Sequence, residues 1–230
     1  MLKLYGVLGS QPARAVYWVL KLANADFELI EVMPGSDKEK PLGSRNKEYL
    51  AKVPPGIVPA LEDTETGLVL WESNAIMTYI ADKFKMNDLY PEDLGARAKV
   101  QQWMNWHHHN SRVFTFALFA PIFRPDIKFS EKELKGNRKK CEMVANLLDD
   151  ALSRSPYLVG DKFTLADIAV FEDVGECAQQ HLALFDFAKH KNVEAWIKRV
   201  EQAPEFKESH AVFPVLKKVI DKVQKNKAKL

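Results

Sequence analysis

The sequence is poor in cysteine and has no long apolar segment. Only two cysteines, Cys141 and Cys177, occur in 230 residues, and neither belongs to a C-x-x-C pair. This argues against a disulfide framework and a zinc site, and it favours a reducing compartment. No run of eighteen apolar residues is present, and Met1–Tyr5 lacks the basic and apolar regions of a secretory signal. We therefore expect a cytoplasmic protein that is not embedded in a membrane.

An excess of one charge sign is absent as well. The chain carries 33 Lys and Arg against 31 Asp and Glu, so its formal net charge is only +2. Such a balance argues against nucleic acid as a partner. What is present is an ordinary globular composition, 47% apolar and 28% charged, on a chain long enough for one large domain or two small ones.

The first 84 residues alternate between strand and helix patterns. Their order is βαβ followed by ββα, which predicts a mixed sheet, because a helical crossover makes the first two strands parallel and a hairpin joins the last two. Residues 34–47 are rich in Gly, Pro, Ser and charge and are predicted as loop. The predicted strands are 2–8, 27–33, 58–62 and 68–71, and the predicted helices are 12–23 and 73–84, the second capped by Ser73.

From Gly95 onward only helical periodicities occur. Apolar stripes at helical spacing run from Val100 to Val113, from Cys141 to Leu152 and from Val193 to Val200. The predicted fold class is therefore α+β with two domains. We place the first domain at 1–84, a linker with its proline at 85–95, and an all-helical domain at 96–230.

Ser10 stands where a predicted strand gives way to a predicted helix. Such a turn presents backbone N–H groups, and the start of a helix favours negative charge. A hydroxyl at this place can donate to a thiolate. Taken alone, the local sequence favours Ser10 as a plain N-cap, with Pro12 tolerated in the first helical turn.

Two further segments suit ligand binding. Pro59 opens a predicted strand without an N–H for the ladder, which leaves the backbone of Val58 to meet a ligand; an edge-strand proline is the alternative. Glu72 and Ser73 bring a carboxylate, a hydroxyl and free N–H groups to a helix start. This set suits a zwitterionic amino-acid head, with Glu72 at the ammonium and Ser73 at the carboxylate, although a plain N-cap explains it too.

The serine turn, the Val-Pro step and the Glu-Ser pair occur in this order before an all-helical half, and this combination resembles the glutathione transferase superfamily. Ser10-Gln11-Pro12-x-Arg14-Ala15 is most similar to the theta class, as are the segments 90–98, 157–160 and 164–167. The resemblance extends over residues 1–212. It implies a thioredoxin-like glutathione-binding domain, followed by a helical domain that contributes the site for the electrophile.

The resemblance also implies roles for individual residues. Ser10 would hydrogen-bond the glutathione sulfur, and Arg112 would face the sulfur region as a second catalytic residue. The backbone of Val58 would pair with the cysteinyl unit. Thr164 and Asp167 match a buried capping box that supports folding. The implied glutathione-binding residues are Gln11, Arg45, Ile57, Val58, Pro59, Glu72 and Ser73.

The chain departs from the family pattern at one subsite. Ile57 occupies the position where relatives often carry the Lys or Gln that holds the glycine carboxylate. A loop position where histidine is frequent falls near Ser44, with Arg45 and Lys47 close by. Either Arg45 or Lys47 could hold the glycine carboxylate, and the sequence does not decide between them.

The resemblance also bears on the electrophile site. In tyrosine-type relatives the catalytic hydroxyl would fall at Leu8, so Tyr5 is expected to pack in the sheet. Leu8, His107 and Phe114 are candidates for the substrate site, and core packing explains Phe114 equally well. The run His107–His109 does not predict a metal site, because consecutive helical side chains point about 100° apart and cannot chelate one ion.

The expected function is conjugation of the glutathione thiolate to electrophilic, apolar small molecules, with glutathione peroxidase activity on the side. Glutathione is then a co-substrate, no cofactor is tightly bound, and family resemblance implies a homodimer. One alternative is a non-catalytic interaction module, since the gamma subunit of translation elongation factor 1 resembles Glu72–Ile76 and Pro204–Phe206. Another is a ligand carrier without turnover. Ala228–Leu230 resembles a peroxisomal address, which gives a second location beside the cytoplasm.

Overall fold

The computed structural model describes residues 1–227, which form two compact units. The first unit comprises Met1–Tyr90 together with Pro204–His210. The second comprises Pro91–Ala203 and the segment that begins at Ala211. The domain bounds expected from the sequence, with a linker at 85–95, stay a prediction. The tripeptide Ala228–Leu230 lies outside the described residues.

The first unit contains a five-stranded mixed sheet with the strand order β3-β2-β1-β4-β5. β1 and β2 run parallel, while β4 is antiparallel to both β1 and β5, as the predicted crossover and hairpin require. The strands are β1 (Leu2–Gly6), β2 (Phe27–Met33), β3 (Leu42–Gly43), β4 (Ala60–Asp63) and β5 (Leu68–Trp71), and the helices are α1 (Gln11–Leu22), α2 (Lys47–Lys52) and α3 (Ser73–Lys83).

The register of this sheet places three loop connections at one end. Tyr5 of β1 pairs with Ala60 of β4, and Ala60 pairs with Trp71 of β5. The residues after Tyr5, before Ala60 and after Trp71 therefore leave the sheet side by side. These residues are the turn that leads to Ser10, the Val58–Pro59 step and the Glu72–Ser73 pair.

Helix α1 buries an apolar face in the first unit, with Trp18 fully buried. The indole Nε1 of Trp18 donates to the carbonyl oxygen of Pro204 at 2.9 Å, and the ring packs edge-on against Phe206 and His210. Residue Phe206 opens a short helix, labelled α9 (Phe206–Ser209). These contacts explain why a segment from late in the chain belongs to the first unit.

The second unit is helical. Its helices are α4 (Leu94–His109), α5 (Ala120–Phe123), α6 (Glu131–Leu152), α7 (Leu165–Val174), α8 (Lys191–Val200) and α10 (Phe213–Lys227), with a π-helical turn at Thr115–Phe119 and a 3₁₀ turn at Gly175–Cys177. Within its described residues, β pairing is limited to a bridge between Tyr157 and Gly160. The predicted α+β class is confirmed. No helix in residues 1–227 combines the length and the apolar character needed to cross a membrane.

Helix α7 is the centre of the second unit, because all ten of its residues are buried. It begins with the capping box predicted from the sequence. The carboxylate of Asp167 accepts from the backbone N–H of Thr164 at 2.9 Å, from that of Leu158 at 3.0 Å and from Trp196 Nε1 at 2.9 Å. The box therefore joins the start of α7 to a preceding loop and to α8.

The structure corrects two local predictions. The stretch 34–47, predicted as loop, contains β3 and the N-cap Asn46 of α2; both elements are too short to show a periodicity. Ser73 does not cap α3. It is the first helical residue, and Glu72 occupies the N-cap position.

Candidate functional site

Ser10 occupies the N-cap position of α1 with an extended backbone, φ −87° and ψ 120°. Its carbonyl oxygen accepts from Arg14 N–H at 2.9 Å, and its own N–H donates to the Val7 carbonyl at 2.9 Å. A plain N-cap serine would also accept a backbone N–H on its hydroxyl oxygen. Across residues 1–227 the Ser10 side chain makes no such capping bond. The backbone thus holds Ser10 in place while its hydroxyl is not spent on the cap.

Arg14 supports this turn from inside. Its side chain is fully buried, and Nη1 donates to the carbonyl oxygen of Leu8 at 2.8 Å. Leu8 itself is half-buried, whereas Gln11, which follows Ser10, is buried. Removing a buried charged side chain that bonds a backbone carbonyl leaves that carbonyl unsatisfied. The bond therefore fixes the backbone that carries Ser10.

Gly6 lets the Val58–Pro59 step approach this turn closely. A Cβ built on Gly6 would lie 2.9 Å from Ala13 Cβ and 3.9 Å from both Val58 Cβ and Pro59 Cα. The absence of a side chain at Gly6 thus brings β1, α1 and the loop before β4 into contact. The Val58–Pro59 peptide bond is cis. Pro59 is buried and Val58 half-buried.

Glu72 has φ 75° and ψ 110°, in the region that non-glycine residues rarely occupy. Its carbonyl oxygen accepts from Ile76 N–H at 3.0 Å and so begins α3, while Ser73 is buried. Neither α1 nor α3 has an acidic residue in its first turn. The positive ends of both helix dipoles are therefore not compensated by a carboxylate of the first turn, which favours an anionic ligand at this end of the sheet.

The loop that precedes α2 borders the turn at Gly56. Ser44 is buried, and its Oγ accepts from Gly35 N–H at 2.9 Å, so this hydroxyl serves the loop itself. The Ser44 carbonyl oxygen would lie 2.9 Å from a Cβ on Gly56. Arg45, next in sequence, is exposed beside this contact, and Ile57 is also exposed.

Tyr5 is 7% exposed and packs in the sheet, as predicted. Its hydroxyl donates to Glu62 Oε2 at 2.6 Å and accepts from Lys52 Nζ at 3.2 Å. Burial and the Glu62 carboxylate raise the pKa of Tyr5. A hydroxyl committed in this way is unsuited to stabilise a ligand thiolate.

In the second unit, the predicted catalytic residue Arg112 is paired with a buried carboxylate. Asp173 on α7 has no exposed surface; its Oδ1 accepts from Arg112 Nη1 at 3.1 Å and also from the hydroxyl of Thr115, and its Oδ2 lies 2.6 Å from His107 Nε2. Burial alone would raise the pKa of Asp173, but the charges of Arg112 and His107 and the hydrogen bonds outweigh it and hold the pKa at about 2. The carboxylate is therefore ionised at neutral pH.

The two aromatic candidates for the substrate site are buried within the second unit. His107 is 4% exposed and is bonded to Asp173. Phe114 is fully buried, with its ring centroid 5.1 Å from that of Phe185 and 6.0 Å from that of Phe187. This environment matches the core-packing alternative for Phe114.

Sequence reasoning missed Asp173 and Tyr49. Asp173 could have been found from its position in the largely apolar segment that forms α7, because an acidic side chain in a fully buried helix needs a buried partner. Tyr49 lies in the short helix α2, where no periodicity marks its inward direction, and its hydroxyl donates to the carbonyl oxygen of Ile57 at 2.7 Å.

Comparison with known proteins identifies the family. The model of the family described as "Glutathione S-transferase, N-terminal domain" matches residues 1–82, and that of "Glutathione S-transferase, C-terminal domain" matches residues 113–204. Human glutathione S-transferase theta-2B is 31% identical over 207 residues, which cover 87% of this chain and 80% of that protein. The chain belongs to the glutathione transferase family, and theta-class proteins are among its relatives.

Solved structures agree with this assignment. A delta-class glutathione transferase of Nilaparvata lugens superposes with a TM-score of 0.79 at 30% identity, covering 96% of this chain and 100% of that chain. A theta-class enzyme of Xanthomonas axonopodis pv. citri, solved with glutathione bound, superposes with a TM-score of 0.77 at 26% identity, covering 91% of this chain and 96% of that chain. The expected thioredoxin-like unit followed by a helical unit is thereby confirmed.

Proposed function

We propose that this chain is a serine-type glutathione transferase in which the Ser10 hydroxyl donates a hydrogen bond to the thiolate of bound glutathione. One observation carries the proposal. Ser10 opens α1 without using its hydroxyl as a cap, at the end of the sheet where Val58 and the Glu72–Ser73 pair also emerge. The transferase activity is proposed because the relatives are glutathione S-transferases. The Ser10 hydroxyl, which makes no capping bond, supplies a chemical reason for this activity.

The energy that such activation requires matches what this turn can supply. A free thiol has a pKa of about 8.5, and lowering it by about two units requires roughly 2.7 kcal/mol in favour of the thiolate. A hydrogen bond to a charged group contributes about 1.5–3 kcal/mol, and a helix start adds about 0.3–1 kcal/mol. Ser10 and the start of α1 therefore suffice in order of magnitude, and we assign Arg112 a further favourable charge.

The remaining glutathione contacts follow from the same end of the sheet. The Val58 backbone pairs with the cysteinyl unit, between Ile57 and Pro59, and Gln11 borders the sulfur site. Glu72 accepts the γ-glutamyl ammonium, while Ser73 and the first N–H groups of α3 bind its carboxylate. Arg45 is our choice for the glycine carboxylate, because it is exposed beside the turn that leads to Ile57.

In the proposed reaction, the thiolate sulfur forms a bond to an electrophilic carbon while a leaving group, such as a halide, departs with the bonding electrons. The thiol proton has already passed to solvent, so Ser10 acts as a donor and not as a base. Attack on a peroxide oxygen would break the O–O bond, release an alcohol and leave glutathione sulfenic acid, which a second glutathione converts to the disulfide and water; this is the proposed side activity. A homodimer and a cytoplasmic location are further proposals that rest on the family.

The test compares two serines that both occupy N-cap positions. The Ser130 side chain accepts the N–H of Glu133 in a full capping box, whereas the Ser10 side chain makes no capping bond. We expect Ser10→Ala to lower kcat for glutathione and 1-chloro-2,4-dinitrobenzene by about 10- to 100-fold at an unchanged melting temperature. We expect Ser130→Ala to lower the melting temperature and leave kcat unchanged.

The alternatives give different outcomes. If Ser10→Ala loses stability and keeps kcat, Ser10 is only a cap. Wild-type protein that binds glutathione without turnover would be a carrier. Absence of glutathione binding would favour the interaction module.

A further inference from the structure

Residues 53–59 connect α2 to β4 without a regular helix or strand. Pro54 and Pro55 are exposed, and Gly56 turns the chain with a φ of +62°. Val58, the proposed backbone partner of glutathione, lies near the end of this connection. The position of the Val58 backbone therefore depends on the contacts that hold residues 53–59 in place.

Tyr49 bonds both ends of this turn. Its backbone carbonyl oxygen accepts from Val53 N–H at 2.9 Å, and its side-chain hydroxyl donates to the Ile57 carbonyl oxygen at 2.7 Å. The side chain is 2% exposed. Burial raises the pKa of Tyr49 above its ordinary value, so the hydroxyl keeps its proton and remains a donor throughout the physiological pH range.

Tyr49 is itself held from several sides. Asn46 caps α2 by accepting Glu48 N–H at 2.9 Å, and Lys52 at the other end of the helix lies 2.6 Å from Glu62 of β4. The Tyr49 ring packs 6.1 Å from the ring of Tyr5 between their centroids. These contacts tie the Tyr49 hydroxyl to the sheet.

One peptide plane links this hydrogen bond to the ligand site. The Ile57 carbonyl and the Val58 N–H belong to the same peptide unit, which is trans, so they point in opposite directions. Because Tyr49 holds the carbonyl from inside the core, the Val58 N–H is directed away from the core. Val58 also packs against the apolar cluster that contains Tyr49.

We propose that Tyr49 is a positioning residue for glutathione, acting through the Ile57–Val58 peptide. The inference rests on the proposed function, since it requires glutathione to pair with the Val58 backbone. It separates two parts of the activity. Tyr49 serves the affinity for glutathione, whereas the state of the thiol depends on Ser10.

Tyr49→Phe tests this directly, because it removes the hydroxyl and keeps the ring. We expect the Kd of glutathione, measured by calorimetry, to rise about fivefold, the size of one neutral hydrogen bond. The KM for glutathione should rise with it, while kcat at saturating glutathione and the pKa of the bound thiol stay at wild-type values. Tyr79→Phe is the matched control, because the Tyr79 hydroxyl bonds Asp63, at the opposite end of β4 from Ala60. The Kd of glutathione for Tyr79→Phe should equal that of the wild type.

Several outcomes overturn the inference. A folded Tyr49→Phe variant with wild-type Kd would show that Tyr49 is only a core residue, and an equal rise in Tyr79→Phe would show a general effect of lost stability. If Tyr49→Phe does not fold, Asn46→Ala removes the cap of α2 outside the core and must raise Kd in the same way. Failure of the proposed function is distinct, because it shows in the wild-type protein, which would bind glutathione without turnover or not bind it at all, whereas the Tyr49 inference fails when wild type and Tyr49→Phe bind glutathione equally well.

Discussion

The buried carboxylate of Asp173 offers the most quantitative prediction. Asp173 has no exposed surface, while the side chain of its partner Arg112 is 23% exposed and that of His107 is 5% exposed. Asp173→Asn keeps the shape of the side chain and removes its charge, so Arg112 loses its counter-ion and His107 loses its carboxylate hydrogen-bond partner. Breaking a buried ion pair from one side costs about 3–5 kcal/mol. Because Arg112 keeps partial access to water, we expect a loss near the lower end, about 3 kcal/mol.

The pKa of Asp173 gives a second route to this magnitude. The pKa is about 2 in the folded protein, and an aspartate in an unfolded chain has a pKa of about 3.9. This difference corresponds to roughly 2.6 kcal/mol at neutral pH. Because the folded pKa is the lower one, the stabilisation is complete above the unfolded pKa and is lost as the pH falls through the folded pKa of about 2.

Urea unfolding followed by circular dichroism, from pH 7 down to pH 3, is the assay. The control is Asp150→Asn, whose carboxylate pairs with Arg154 at 2.9 Å although both side chains are about 70% exposed; its loss should not exceed about 1 kcal/mol. The difference in unfolding free energy between wild type and Asp173→Asn should shrink below about pH 4. A loss equal to that of the control, or one independent of pH, would refute the account of this cluster.

Two further predictions concern the first unit. Tyr5→Phe should leave kcat and KM within about twofold of wild type, because the hydroxyl already bonds Glu62; a large loss of kcat would make Tyr5 the catalytic hydroxyl after all. Gly56→Ala should lower the melting temperature and raise the Kd of glutathione, because φ is +62° and a Cβ would lie 2.9 Å from both Ser44 O and Leu50 Cδ2. Gly136→Ala is its control, since a Cβ on Gly136 meets nothing within 4 Å and alanine is favoured there by about 0.5–1 kcal/mol in a helix interior. Equal effects of the two glycine substitutions would contradict the proposed role of the Gly56 turn.

The elements with a clear pattern could be predicted from the sequence. The predicted strands 27–33 and 68–71 coincide with β2 and β5, and the helix predicted over 12–23 differs from α1 by one residue at each end. Their apolar residues repeat at the period of their own structure. The strand predicted at 58–62 begins two residues later, because Pro59 has no N–H to give to the ladder.

What sequence reasoning could not supply is tertiary register. Ser10, Val58 and Glu72 were singled out one by one, but only the pairing of Tyr5 with Ala60 and of Ala60 with Trp71 sets them at one end of the sheet. Strand pairing joins residues far apart in the chain, and no local periodicity encodes it.

The same limit applies to the residues that hold the candidate groups. Asp173 meets Arg112 across 61 positions, and Tyr49 reaches Ile57 across eight positions outside any common element. Both contacts form only because the tertiary fold directs the side chains of Asp173 and Tyr49 toward these partners.

The most direct test of the central claim is the ultraviolet difference spectrum of glutathione bound to wild type and to Ser10→Ala, titrated against pH. The proposal predicts a thiolate band at neutral pH in the wild type, with an apparent thiol pKa below the free value of about 8.5. In Ser10→Ala the pKa of the bound thiol should rise by about one to two units toward the value of the free thiol, while glutathione still binds. If the variant binds glutathione and keeps the wild-type thiolate band, Ser10 is not the activating donor, and Arg112 becomes the residue to test.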